Sequence, residues 1–176
     1  MKKAFMKLSP SLAVLSLPLV TSSALAADLS VKFELPRLNV AEYHKPYVAI
    51  WIERADQSVA SSLAVLYDLK LKNREGEKWL KDLRSWWRKA GRDATMPIDG
   101  VSGATRPPGA HTMKFDAARY GLDKLPAGDY TLVVEAARES GGREVVKLPF
   151  NWTGKGKLNA SAAGKDELGA VSLQMQ

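Results

Sequence analysis

The sequence predicts an all-β protein, a β-sandwich with one inserted short helix. Three observations carry that prediction. Roughly seven segments alternate between apolar and polar residues or are rich in β-branched and aromatic ones; turn residues bound each of them; and a single stretch has helical period. Neither the βαβ alternation of an α/β fold nor an internal repeat is detectable.

Residues 29–35 (LSVKFEL) alternate with period two and stop at Pro36, which marks a first strand. Residues 46–53 (PYVAIWIE) and 61–72 (SSLAVLYDLKLK) read as a hairpin joined by the polar turn 54–58. Asn73-Arg74-Glu75-Gly76 then closes the second of these strands. Over residues 77–90 (EKWLKDLRSWWRKA) the period changes. Trp79, Leu80, Leu83, Trp86, Trp87 and Ala90 recur at spacings of three and four, which predicts a helix ended by Gly91. Residues 92–110, rich in Gly and Pro, form a loop too long for a simple turn, and loops of that length usually carry function. Strands are expected again at 111–115, at 128–136 after the turn Pro126-Ala127-Gly128, and at 143–150 after Ser140-Gly141-Gly142. A Gly/Lys/Ala/Ser-rich linker at 153–165 precedes a last strand at 168–175. The whole suggests an immunoglobulin- or fibronectin-like sandwich.

Composition narrows the chemistry. The 176 residues contain no Cys, which excludes disulfides, thiolate metal sites, iron–sulfur clusters and Cys nucleophiles. Only two histidines, His44 and His111, are present, too few for a three-histidine zinc site. They suit an axial haem pair in principle, but no covalent haem motif accompanies them and surface or hydrogen-bonded roles are the commoner ones. The formal charge is +7, from 26 basic and 19 acidic residues. Part of that excess lies at the N-terminus. Lys2, Lys3 and Lys7 precede an apolar run, residues 8–20, broken by Pro10 and Pro18, and Ala24-Leu25-Ala26 follows. This is a secretory signal peptide over residues 1–26, too short and too Pro-broken for a membrane span, with cleavage expected after Ala26 or Ala27. Residues 27–176 then form a single β-sandwich domain carrying +4, exported to a periplasm. So mild a charge calls for no nucleic acid.

The long loop contains Asp99-Gly100-Val101-Ser102-Gly103-Ala104-Thr105. It resembles the D-x-x-[ST]-G-A-T acceptor motif of bacterial exported flavoproteins, in which a flavin transferase attaches FMN to the threonine through a phosphoester. All five specified positions match, against a chance expectation on the order of one in a thousand. The resemblance implies that Thr105 is the acceptor and that Asp99, Ser102, Gly103 and Ala104 form the recognition sequence. A threonine hydroxyl is a poor nucleophile until an external enzyme activates it, so Thr105 needs access rather than a local base. Asp99 suits recognition or metal holding, Ser102 can fix the turn, and Gly103 with Ala104 keeps neighbouring bulk small. Arg106 offers a guanidinium to an attached phosphate. The same residues also suit an unmodified flexible loop in which Asp99 caps a turn.

A wider resemblance runs from Asp28 to Met175. The P-Y-V-A-I-W-I-E strand, the W-L-K-D-L-R-S-W-W segment, the D-G-V-S-G-A-T-R-P-P-G loop and the A-G-D-Y-T-L-V-V-E-A strand are together similar to a family of predicted periplasmic proteins of unassigned function. That resemblance implies company with PepSY-type membrane proteins and flavin transferases, hence membrane-linked electron transfer. No dedicated FMN-binding domain of the better-known acceptors is visible.

Trp79, Trp86 and Trp87 suit a flat heterocycle or core packing. Trp79 is expected in the core, while one of Trp86 and Trp87 is expected to line a groove, because adjacent helical residues diverge by 100°. Lys78, Lys81, Arg84, Arg88 and Lys89 form a basic side that reads as solvated, or as a dock for an acidic partner or lipid headgroups. Asn151-Trp152-Thr153 matches a glycosylation pattern that a bacterial export signal makes irrelevant. The sequence thus points to a carrier of FMN on Thr105 with no reaction of its own. The competing reading is a cofactor-free periplasmic binding or structural module. An enzyme with His111 as base is a third, and no nucleophile motif supports it.

Overall fold

A computed structural model describes residues 28–175. The export signal expected over 1–26 lies outside the described residues. Two sheets face each other. One has four strands in the order β5-β1-β9-β8, where β1 is Leu29–Leu35, β5 Gly109–Phe115, β8 Leu158–Ala163 and β9 Ala170–Met175. The other has five in the order β4-β3-β2-β6-β7, where β2 is Tyr47–Arg54, β3 Val59–Tyr67, β4 Ser102–Ala104, β6 Gly128–Ala137 and β7 Arg143–Trp152. The architecture is the expected β-sandwich with a small helical insert.

The alternation seen in the sequence places one face of each strand in the core. Leu29, Val31, Phe33 and Leu35 of β1 are buried, as are Val146, Leu148, Phe150 and Trp152 of β7, and their intervening residues face outward. Strand β2 does not alternate because both its faces are covered. Val48, Ile50 and Ile52 enter the core between the sheets, whereas Ala49 and Trp51 pack beneath the helical insert with Val65, Tyr67, Leu80, Leu83 and Trp86. Each fully buried large side chain contributes roughly 1.5–3 kcal/mol of transfer free energy, so this second core fixes the insert firmly.

The insert departs from the single helix expected over 77–90. It is a series of short turns: a 3₁₀ turn at Lys72–Arg74, α1 at Glu75–Lys78, a second 3₁₀ turn at Leu80–Asp82, and α2 at Arg84–Trp86 running into a π turn at Trp87–Gly91. The chain breaks at Leu83, whose φ/ψ of −74°/68° is not helical. The cause is Glu135 of β6, whose carboxylate accepts the backbone N–H groups of Ser85 at 3.0 Å and Trp86 at 2.8 Å. A continuous helix would have bonded those two groups to the carbonyls four residues back.

Other boundaries move as well. β3 ends at Tyr67 rather than at 72, because Asp68 accepts the N–H of Lys70 at 3.1 Å and the chain reverses through Asn73 and Arg74, both left-handed. Gly76 lies so close to the carbonyl of Asp68 that a Cβ there would sit 2.0 Å from its oxygen. The linker expected at 153–165 contains β8, paired antiparallel to β9, because Leu158, Ala160 and Ala162 alternate onto the core. Small side chains had disguised that strand.

Candidate functional site

The motif-bearing loop is ordered from its first turn. Ser102 supplies the key contact: its Oγ accepts the N–H of Ile98 at 2.9 Å, while its own N–H donates to the Ile98 carbonyl at 2.9 Å. Gly100 takes a φ of +71° at the turn, a conformation glycine adopts without a Cβ penalty. The Tyr120 hydroxyl donates to the Gly100 carbonyl at 2.6 Å and ties the turn to the sandwich. Asp99 is exposed beside it.

The chain then becomes β4, an edge strand that lies parallel to β3. Ser102, Gly103 and Ala104 oppose Val65, Leu66 and Tyr67. The N–H of Val65 donates to the Val101 carbonyl at 2.9 Å, and that of Thr105 donates to the Tyr67 carbonyl at 3.2 Å. Thus the segment expected as a plain loop over 92–110 holds a short strand, and β5 starts two residues earlier than expected, at Gly109. Gly103 meets a steric limit, since a Cβ there would lie 2.9 Å from Cδ2 of Leu66. Arg106 is exposed just past the strand. His111 spans the exit of the loop, with Nε2 2.8 Å from the Pro107 carbonyl and its ring tilted against Phe33.

Thr105 is half-buried and lines a groove of about 300 Å³, at the lower end of the size range of small-molecule sites, roughly 300–1,000 Å³. Tyr43, Tyr47, Leu71 and Trp79 give it aromatic and apolar surface. Lys45 and His44 supply its basic side, and Asp68, Asp82 and Glu139 its acidic side. His44 sits between carboxylates, with Nε2 3.3 Å from Glu42 and Nδ1 3.6 Å from Glu139. Burial pushes the hydroxyls of Tyr43 and Tyr47 above the usual phenol range, so both stay protonated and able to donate. Trp79 corrects its expected place in the core: it is 40% exposed, with the Lys81 ammonium 5.8 Å from its ring centroid. Trp86 is the buried member of the three, and Trp87 is half-buried.

Of the residues singled out in the motif, β4 and its flanks bring Ser102, Gly103, Ala104 and Thr105 together, and only Thr105 reaches the groove. Asp99 and Arg106 stand on the exposed flanks. Tyr43 and Tyr47 were not singled out in the sequence, and His44 was read there only as a haem-ligand candidate or a surface histidine, because they are single residues on a loop and at a strand start, and only the fold sets them in one groove with position 105.

Residues 28–170 match DUF2271, described as a predicted periplasmic protein. The chain belongs to the DUF2271 family. The family's periplasmic description agrees with the export signal read at the N-terminus. No curated protein and no solved structure matches this DUF2271 chain.

Proposed function

We propose that this DUF2271 protein is a periplasmic electron carrier with FMN joined to Thr105 through a phosphoester, placed there by a flavin transferase. The observation that carries the reading is the position of Thr105: it follows an edge strand directly, completes the acceptor motif and lines a groove with the exposed Trp79 and the half-buried Tyr43 and Tyr47. The residues suit the group. Trp79, Tyr43 and Tyr47 offer faces and edges to a flat heterocycle, and the two tyrosine hydroxyls and the Lys45 ammonium offer polar contacts at its rim. Arg106 provides a cation next to the phosphoester. Bound FMN would supply reversible electron transfer, and the protein would tether it, shelter it and present it to a membrane redox partner of PepSY type without catalysing a reaction of its own.

Modification needs Thr105 to enter another enzyme's active site. β4 is held by only three residue pairs at a sheet edge, and each hydrogen bond contributes a net ~0.5–1.5 kcal/mol, so peeling the segment away costs little beside global unfolding. In the transfer the Thr105 Oγ–P bond forms, the bond from the FMN phosphate to the donor's leaving group breaks, and the hydroxyl proton passes to the transferase. The test is co-expression with an active flavin transferase, followed by denaturing electrophoresis and peptide mapping. Flavin fluorescence should remain with the denatured band and map to the peptide containing Thr105; a band without fluorescence beside a labelled control acceptor contradicts the proposal.

A further inference from the structure

On the insert, the basic residues fall into two groups. Lys89 is paired with the buried Glu53 at 3.0 Å, and Lys78 stands 3.8 Å from Glu75. Lys81, Arg84 and Arg88 belong to none of the ion pairs among the described residues. These three instead line a shallow groove of about 430 Å³ with Arg143 and the half-buried ring of Trp87. The groove is built rather than incidental. Glu135, fully buried, accepts from Nε of Arg143, Ser85 Oγ accepts from its Nη2 at 2.6 Å, and Nε of Arg88 donates to the Arg84 carbonyl at 3.2 Å. Four basic side chains thereby line one groove with the Trp87 indole; Glu135 pairs with Arg143 among them, and Asp82 lies nearby on the adjoining surface.

We infer that this groove docks an acidic segment of a protein partner. Guanidinium groups such as those of Arg84 and Arg88 pair with carboxylates in bidentate fashion, and a one-signed patch steers an oppositely charged surface to the site. A bilayer fits less well. The groove is concave, Leu80, Leu83 and Trp86 are fully buried, and the exposed Trp79 lines the Thr105 groove, so the half-buried Trp87 is the apolar surface that the basic groove itself offers a membrane interface. Lys81 links this groove to the other, because its ammonium lies over Trp79 of the Thr105 groove. Resting on the electron-carrier reading, the partner seated here is the redox protein, placed beside the cofactor groove.

The experiment uses unmodified Thr105→Ala protein, so its outcome does not depend on any flavin. Binding of labelled poly-L-glutamate is measured for that protein, for the same protein with Arg84→Glu/Arg88→Glu, for a milder Arg84→Gln/Arg88→Gln pair, and for a control Lys155→Glu/Lys157→Glu at a remote exposed turn. Sedimentation with phosphatidylglycerol vesicles is run in parallel. The inference expects binding that salt weakens, that falls at least about tenfold in the Glu pair and less in the Gln pair, and that the control leaves unchanged. Equal binding by all variants overturns it, as does equal loss in the remote control. Tighter association with the vesicles than with the polymer also overturns it and assigns the patch to a membrane surface. A flavin-free protein that binds as expected leaves this docking intact even if Thr105 is never modified.

Discussion

The carboxylate of Glu135 accepts the backbone N–H of Trp86 at 2.8 Å, across the boundary between β6 and the helical insert. With Ser85 and Arg143 as its other partners, this buried group fixes where the insert breaks and hence where Trp79 and the basic groove stand. Removing it leaves two N–H groups and a guanidinium without their acceptor. Glu135→Ala should cost about 3 kcal/mol, the low end for a broken buried pair because Arg143 is partly exposed. Urea unfolding reads the loss, and near-ultraviolet circular dichroism should show a changed tryptophan environment; a loss under 1 kcal/mol would contradict the assigned role.

Gly103 and Leu66 set the closeness of β4 to β3. A Cβ at 103 meets the end of the Leu66 side chain, which is itself packed in the core. Gly103→Ala should cost under ~1 kcal/mol as that side chain shifts, and Gly103→Val roughly 1–3 kcal/mol by overpacking. Hydrogen exchange at Thr105 should quicken in the valine variant, since its N–H bond to Tyr67 ends the same ladder.

Glu144 makes the acid side of stability testable. Burial is the largest single influence and by itself would raise its pKa. Hydrogen bonds from the backbone of Leu168, Lys165, Asp166 and Glu167 together outweigh that influence and hold it below its ordinary value of 4.5. A carboxylate lowered on folding stabilises fully above its unfolded pKa, and that contribution is lost as pH falls through the folded one. Glu144→Gln should therefore be less stable at neutral pH and show a flatter loss below about pH 4.5 in unfolding titrations. An unchanged acid slope would contradict this account.

Much of the sandwich was legible because period-two burial writes itself into β1, β7 and β9. What was not legible has physical causes. The heptad-like spacing from Trp79 to Ala90 is real, but a carboxylate from a strand 49 residues beyond Trp86 competes for the helical N–H groups, and no local pattern announces that. β8 alternates with alanines, too small to signal a strand by hydrophobicity. The acceptor motif was visible as a sequence pattern, whereas the groove facing it is assembled from four separate stretches: the loop leading into β2, the turn after β3, the insert, and the end of β6 with the turn that follows it.

Trp79 tests the groove apart from the attachment. Its partial exposure means that Trp79→Ala should cost less than the ~3–5 kcal/mol of truncating a fully buried tryptophan. In flavin-loaded protein the same substitution should leave the attached mass unchanged and raise flavin fluorescence, because a stacked indole quenches it. Unchanged fluorescence would remove Trp79 from the site.

The central claim is tested most directly by intact mass after co-expression with a flavin transferase shown to modify a control acceptor. The wild type should gain the mass of FMN less one water, and Thr105→Ala, folded by circular dichroism, should gain nothing. An unmodified wild type, or an equal gain in Thr105→Ala, would contradict the assignment of Thr105 as the site of flavin attachment.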